Sequence, residues 1–364
     1  MSLAFAPIDC GGRIESVLGS LSGDALLIAA GPQMRWLTGF AGSAGWLLAH
    51  KETNYMFMDS RYTEIANETL VRANVKAEIV HVVDHSKLFD EIARCAKGFQ
   101  ITMDSSATAV ATFKAVTAAF GSEPTAVSDP TAQFRRVKTP AEVARIEAAA
   151  TCADTALSKV LSLDWIGMSE REIASTIEIE IRRAGAEREA FDTIVASGPN
   201  GSKPHHEPGD RLIQEGDSVI IDMGAMIDGY HSDMTRTFFV GAPDPILATA
   251  YEVVRSAQES GVDAVRAGRS LSGVDAACRE VLAAAGIDQL FVTGTGHGIG
   301  LEIHEDPFIG KRSKGEFVMG DTVTVEPGIY CEGVGGIRIE DTVHLEANGP
   351  RRLTLTSKDP SCPR

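Results

Sequence analysis

The chain has 364 residues, 44% of them hydrophobic and 23% charged, with a formal net charge of -16. That is enough for two domains or one large one, in the composition range of a soluble globular protein. The acidic balance argues against nucleic acid as a partner, since phosphate binding requires clustered Lys and Arg. No apolar run approaches the roughly 20 residues of a membrane-spanning helix, so a membrane is not expected as a partner either. The amino-terminal stretch MSLAFAPIDC lacks a basic region and a long apolar run, so no secretory signal is expected. The first third then alternates apolar runs at 24–30, 45–50, 55–59 and 77–83, read as strands, with helical patterns at 60–74 and 85–99. This is the signature of an α/β module.

Around 121–140 the texture changes to prolines, small polar residues and a basic cluster, which reads as an inter-domain linker. A helix then starts sharply, with Thr139 as N-cap, Pro140 at the first helical position and Glu142 placed to close a capping box. Ser169 and Glu172 repeat that signature, and further helices are expected over about 245–267 and 272–285. From about residue 315 the chain is strand-rich, in DTVTVEPGIY and GIRIEDTVHL. The six cysteines (Cys10, Cys95, Cys152, Cys278, Cys331 and Cys362) are scattered without a CxxC pair. A disulfide framework or zinc knuckle is therefore not expected, and a reducing cytoplasm is.

The strands of the second part carry acids where core residues belong. Asp222 ends the apolar run VII, Asp233 precedes TRTFF, Glu326 ends TVTV, and Arg338 and Glu340 alternate with Ile337 and Ile339. An ionised carboxylate in an apolar interior costs several kcal/mol unless compensated. Four such groups repel one another strongly in a low dielectric. Two divalent cations about 3.5–4 Å apart, with carboxylates between them, are the standard physical remedy. With His297 added, the donor set of hard oxygens and one imidazole suits Mn²⁺ or Co²⁺ and leaves Zn²⁺ open. Two such ions would hold a bridging water and lower its pKa, giving a hydroxide near neutral pH. The glycines at 294, 296, 298 and 300 do not follow the dinucleotide spacing; they read as positions where backbone approaches substrate closely.

On these motifs (IDMGA, YHSDMTRTF, GTGHGIGLEIHE, TVEPGIY and GIRIEDT) the segment from about 140 to 357 resembles the pita-bread metallopeptidases. These include prolidases, aminopeptidases P and methionine aminopeptidases. GPQMRWLTGFAGSAGWLL and MDSRYTEIANE resemble the creatinase-type domain that precedes the catalytic domain in the first two. The resemblance implies an α/β creatinase-like domain over 1–132 and an α+β pita-bread catalytic domain over 133–364. It further implies that Asp222 binds one metal, that Asp233 and Glu340 bridge, and that His297 and Glu326 complete the second. Glu326 would also move the proton, with His304 and either His205 or His206 assisting at the substrate. Arg338 is expected to orient a ligand carboxylate, and Arg312 to hold the free carboxylate of an Xaa-Pro dipeptide. The implied substrates are short proline-containing peptides and the implied assembly is a homodimer. The leading expectation is an Xaa-Pro dipeptidase. Aminopeptidase P, another hydrolase or lyase on the same fold, and a non-catalytic binding module are the alternatives.

Overall fold

The computed structural model describes residues 5–96 and 98–361. The first four residues of the amino-terminal stretch read above, Lys97, and the last three, Cys362 among them, lie outside the described residues. By its internal contacts the chain divides into two compact units, Phe5–Arg135 and a second that begins at Arg136.

In the first unit the apolar runs become strands β1 (Ala25–Ala29), β2 (Trp46–His50), β3 (Tyr55–Met58), β4 (Glu78–His81), β5 (Ile101–Asp104) and β6 (Thr125–Val127). They form one sheet in the order β4-β3-β2-β1-β5-β6. The β1–β2 and β2–β3 pairs are antiparallel. The parallel pairs β3–β4 and β5–β6 need crossovers, which helices at Thr63–Arg72 and Val110–Phe120 supply. Leu27, Leu48, Phe57, Ile92, Met103 and Val116 close the core of this unit. The stretch 121–140 is thus not all connector: it holds the edge strand β6 and a short helix, Ala132–Arg135.

The second unit opens on α1 (Pro140–Val160) and α2 (Glu170–Arg183), both with complete capping boxes: Thr139 with Glu142, and Ser169 with Glu172. Each cap is worth about 0.5–2 kcal/mol, which explains the sharp starts. Next come β7 (Arg188–Glu189), β8 (Ile194–Ser197), β9 (Ser218–Met223), β10 (Ala225–Ile227), β11 (Tyr230–His231) and β12 (Met234–Phe239). Two three-stranded sheets result, β12-β9-β8 and β11-β10-β7. Helices α3 (Pro245–Ala264) and α4 (Leu271–Ala284) follow, then β13 (Gly296–Gly298), β14 (Glu305–Ile309), β15 (Thr322–Val325), β16 (Gly328–Cys331), β17 (Gly335–Arg338), β18 (Asp341–Glu346) and β19 (Gly349–Arg352). Val254, Ala257, Val274 and Leu282 of the two helices pack on Val323, Val325, Ile337 and Ile339. The intervening strand residues therefore face away from the helices.

Two runs that read as single strands are each split between two sheets. β15 and β18 belong to the sheet β14-β13-β15-β18-β19, whereas β16 and β17 form a separate hairpin. Pro327 follows Glu326 at the first crossing and has no N–H to continue a ladder. Ile339 and Glu340 make the second crossing, between β17 and β18. Both crossings place a glutamate where the chain leaves one sheet for another. Among the described residues no helix is long and apolar enough to cross a membrane.

Candidate metal centre

Asp222 lies in β9, opposite Thr235 of β12 and Ile194 of β8. Asp233 immediately precedes β12. The chain bends between them at Gly224, where a Cβ would lie 1.9 Å from Ser232 O, so only glycine lets the two segments close. At the crossings, Glu326 N–H donates to Thr295 O (2.7 Å) and Glu340 N–H donates to Thr235 O (3.1 Å). The Glu340 carbonyl also accepts a short hydrogen bond from Arg236 Nη1. Backbone contacts of this kind aim both carboxylates at Asp222, Asp233 and His297. All five line one cavity of about 280 Å³.

Carboxylate and imidazole atoms of Asp233, His297 and Glu340 lie within 4.8 Å of one another. His297 Nε2 is 3.5 Å from Asp233 Oδ2 and 3.4 Å from Glu326 Oε1. Its Nδ1 lies 3.0 Å from Gly298 O. A proton on Nδ1 donating to that carbonyl leaves the Nε2 lone pair facing the carboxylates, which is the ligand tautomer. Thr235 Oγ1 donates to Glu340 Oε2 (2.7 Å) and Thr324 Oγ1 to Glu326 Oε1 (3.1 Å). Asp222 Oδ1, Asp233 Oδ1 and Glu340 Oε1 are buried without a hydrogen-bond partner. Burial, then the charges of Glu340, Asp222 and Glu326, push the Asp233 carboxyl well above its usual range. Burial, then Glu326 and Asp222, do the same to Glu340. Orphaned oxygens, mutual repulsion and a bare imidazole nitrogen fit a divalent metal, which satisfies all three at once.

Arg338 is a buried cation against the carboxylates of this cluster. Its Nη2 donates to Asp222 Oδ2 (2.6 Å), its Nη1 to Tyr330 Oη (2.8 Å) and Pro204 O (3.1 Å), and its Nε to Thr235 Oγ1 (3.0 Å). His304 stacks edge-on to His297 with ring centroids 4.3 Å apart. Burial, then the neighbouring His297, lower its pKa.

His205 lines the cavity, whereas His206 turns away to bond Glu170 Oε2 at 2.8 Å. That separates the two histidines the sequence leaves as alternatives. Arg312 lies exposed in the turn after β14 and is not among the residues lining the cavity. The turn is close by, since a Cβ on Gly310 would lie 3.9 Å from Gly294 Cα. Of the four alternating glycines, 294 and 296 line the cavity, but the tightest constraint comes from the protein itself. A Cβ would lie 2.0 Å from Thr324 O at Gly296 and 2.2 Å from Asp306 O at Gly298.

The sequence reading missed Tyr330, Phe191, Ile303 and Phe308, which also line the cavity. Each looks like an ordinary core or loop apolar residue in sequence. Tyr330 alone offered a signal, being eight residues before Arg338 across the β16–β17 hairpin.

Fold and centre together define a metal-dependent hydrolase of the pita-bread class. Residues 144–347 match the description Metallopeptidase family M24, and residues 13–137 match the Creatinase/Prolidase N-terminal domain. The chain belongs to Metallopeptidase family M24. It is 33% identical over 338 residues to an Xaa-Pro dipeptidase of Pyrococcus horikoshii, covering 92% of this chain and 94% of that one. Among solved structures it is similar to an Xaa-Pro dipeptidase from Bacillus anthracis, with a TM-score of 0.93 and 34% identity over 96% of this chain and 99% of that one. An X-Pro aminopeptidase from Thermotoga maritima is similar too, with a TM-score of 0.86 and 32% identity over 95% and 99% of the respective chains.

Proposed function

We propose that the protein hydrolyses the Xaa-Pro bond of dipeptides, with two divalent ions held by Asp222, Asp233, His297, Glu326 and Glu340. The observation that carries this reading is the meeting of buried, unpartnered carboxylate oxygens with a peptide-sized cavity. The dipeptidases named above support it. When bound, the two ions, manganese first and cobalt or zinc as alternatives, supply an activated water and a Lewis acid for the scissile carbonyl.

The protein's own groups do the rest. Glu326, with Oε1 3.4 Å from His297 Nε2 and 3.1 Å from Thr324 Oγ1, is the carboxylate placed to carry a proton to the leaving nitrogen. His304, kept neutral by burial, offers an N–H to the oxygen that becomes negative. Arg338 holds Asp222 in place. Phe191, Ile194, Ile303 and Phe308 form an apolar wall suited to a pyrrolidine ring. An Xaa-Pro bond has no N–H to be gripped by, so shape must replace that hydrogen bond.

Hydrolysis of Xaa-Pro dipeptides, Xaa-Ala dipeptides and Xaa-Pro-Xaa tripeptides, each with Mn²⁺, Co²⁺ and Zn²⁺ restored after chelation, tests the reading. Xaa-Pro dipeptides are expected to be cleaved best; no cleavage of any proline peptide with any metal overturns it. His304→Ala is expected to lower kcat by roughly 10²–10³, the scale of one lost oxyanion donor, in the same assay.

One observation favours aminopeptidase P as the second reading. Among the described residues, the only arginine lining the cavity is Arg338, already held by Asp222, Tyr330, Pro204 and Thr235. Arg312 would have to swing in from its exposed turn to bind a dipeptide's carboxylate, as a guanidinium fork does well. Arg312→Ala is expected to raise KM for an Xaa-Pro dipeptide by about tenfold or more, the worth of one charge-assisted pair, and to leave an Xaa-Pro-Xaa tripeptide nearly unaffected. A wild type that prefers the tripeptide, with a variant equally good on both, would move the assignment to aminopeptidase P.

A homodimer in a reducing cytoplasm completes the proposal. The scattered spacing of the cysteines, without a CxxC pair, supports the compartment, and sedimentation of the metal-loaded protein tests the dimer.

A further inference from the structure

Beside the cavity sits a carboxylate that none of the steps above uses. Glu170 is the first helical residue of α2, and its side chain is 0% exposed. An acid in a first helical turn gains from the helix dipole at the surface, but burial adds a cost that partners must offset. Those partners are unusually concentrated. Oε1 accepts from Ser197 N–H (2.8 Å) and Ser197 Oγ (2.7 Å). Oε2 accepts from Gly209 N–H (3.1 Å) and faces His206 Nε2 at 2.8 Å. Asn200 Nδ2 reaches both oxygens, at 3.1 and 3.3 Å.

Every one of these groups lies between 197 and 209, the segment that carries Pro204 and His205 to the cavity. Arg211 extends the knot, donating to Ser197 Oγ (2.6 Å) and pairing with Asp217 (2.6 Å). The loop is also held by the Arg338 hydrogen bond to Pro204 O, by Arg171 N–H donating to Gly209 O (3.1 Å) and by the close approach of Gly201 to Gly336 of β17. Burial pushes the Glu170 carboxyl up, yet the hydrogen bonds from His206 and Ser197 outweigh it and hold it below its usual value.

We infer that Glu170 is a positioning residue: by tying His206 and the 197–209 backbone to α2, it keeps His205 turned into the cavity. The loop's own regular structure is one short 3-10 turn, Gly198–Ser202, so bonds to neighbouring elements, those of Glu170 foremost in number, hold its conformation. The inference rests on the peptidase reading, with His205, which lines the cavity, taken as the histidine that assists His304 at the substrate.

The test is a double-mutant cycle between Glu170→Gln and His205→Ala in the metal-loaded protein, with His206→Ala as a second route to the same bond. Glu170→Gln is expected to lower kcat about tenfold or more, since a misplaced group far from the chemistry costs up to about 10²-fold, with KM changed less than about twofold. Combined with His205→Ala it should cost nothing further, because the same contact is already gone. A purely structural role gives additive losses instead, and additivity overturns the inference. If Glu170→Gln does not fold, the His206→Ala and His205→Ala cycle carries the test by the same criterion. Hydrogen exchange separates this idea from the peptidase reading. Amides of 198–209 should exchange faster in His206→Ala while those of β9 do not. Unchanged loop exchange overturns the anchoring even in a protein that cleaves no peptide. Faster exchange supports the anchoring even there, and only the peptidase reading then falls.

Discussion

Asp233→Ala is expected to abolish bound metal and to lower activity by roughly 10³-fold or more, because a single carboxylate placed between two ions serves both. Elemental analysis after reconstitution and the dipeptide assay read the two losses together. A variant that keeps two metals per chain, or one that loses metal and keeps its turnover, removes Asp233 from the centre. The metal-free protein should show the opposite trend in stability. Burial, then Glu340, Asp222 and Glu326, raise the Asp233 carboxyl, and burial, then Glu326 and Asp222, raise Glu340. A carboxyl raised on folding favours the folded state while it is protonated. That contribution is whole below the unfolded value near pH 4 and is lost as pH rises through the folded value. Chelated wild type is therefore expected to lose stability relative to chelated Asp233→Ala as pH rises from about 5 towards 8, while His297, His304 and His344, lowered by burial, add a slope of opposite sign to both proteins. Asp341 and Glu170, both held below their usual range, stay ionised across that window and leave the slope alone. A chelated Asp233→Ala whose melting temperature follows the same pH dependence as chelated wild type would show that the cluster is not strained by its own charge.

Glu326→Gln is expected to lower kcat by about 10²–10⁴, the range for a lost general acid–base group, while the protein still folds. The amide keeps the size of the side chain and one oxygen beside Thr324. It cannot take up and release a proton. Turnover, circular dichroism and metal content measured on one preparation distinguish a lost proton carrier from a lost ligand. Near wild-type kcat would assign the proton transfer to another group.

Much of this was legible in the sequence because the signals were local and costly. Both capping boxes could be read from four residues each, and they start α1 and α2 as expected. The acids in apolar strands were visible because a buried charge is rare without a purpose. What stayed hidden was long-range. Pro327 is a local hint of a break in DTVTVEPGIY, but GIRIEDTVHL has uninterrupted strand chemistry, and only the pairing of the sheets shows that each run is divided at its glutamate. Glu170 looked like a dipole-favouring acid at a helix start; its partners lie 27 to 39 residues further on. Arg312 stands at a suggestive distance from Glu326 along the chain, yet spacing says nothing about which way a turn projects. The apolar wall was invisible for a plainer reason, since Phe308 and Ile303 carry no chemistry that sets them apart from core residues.

The two sheet crossings have a consequence for how the protein can be cut and rejoined. Glu326 and Glu340 stand on either side of the β16–β17 hairpin, whose tip, Glu332–Val334, is exposed. A chain opened at Gly333 would put one glutamate of the centre on each fragment. Neither piece would hold a complete ligand set, and the added cation would become the clasp between them. Fragment reassembly would then report metal binding directly, with no substrate in the tube, and a bulky label at the tip would leave the ligands where they are.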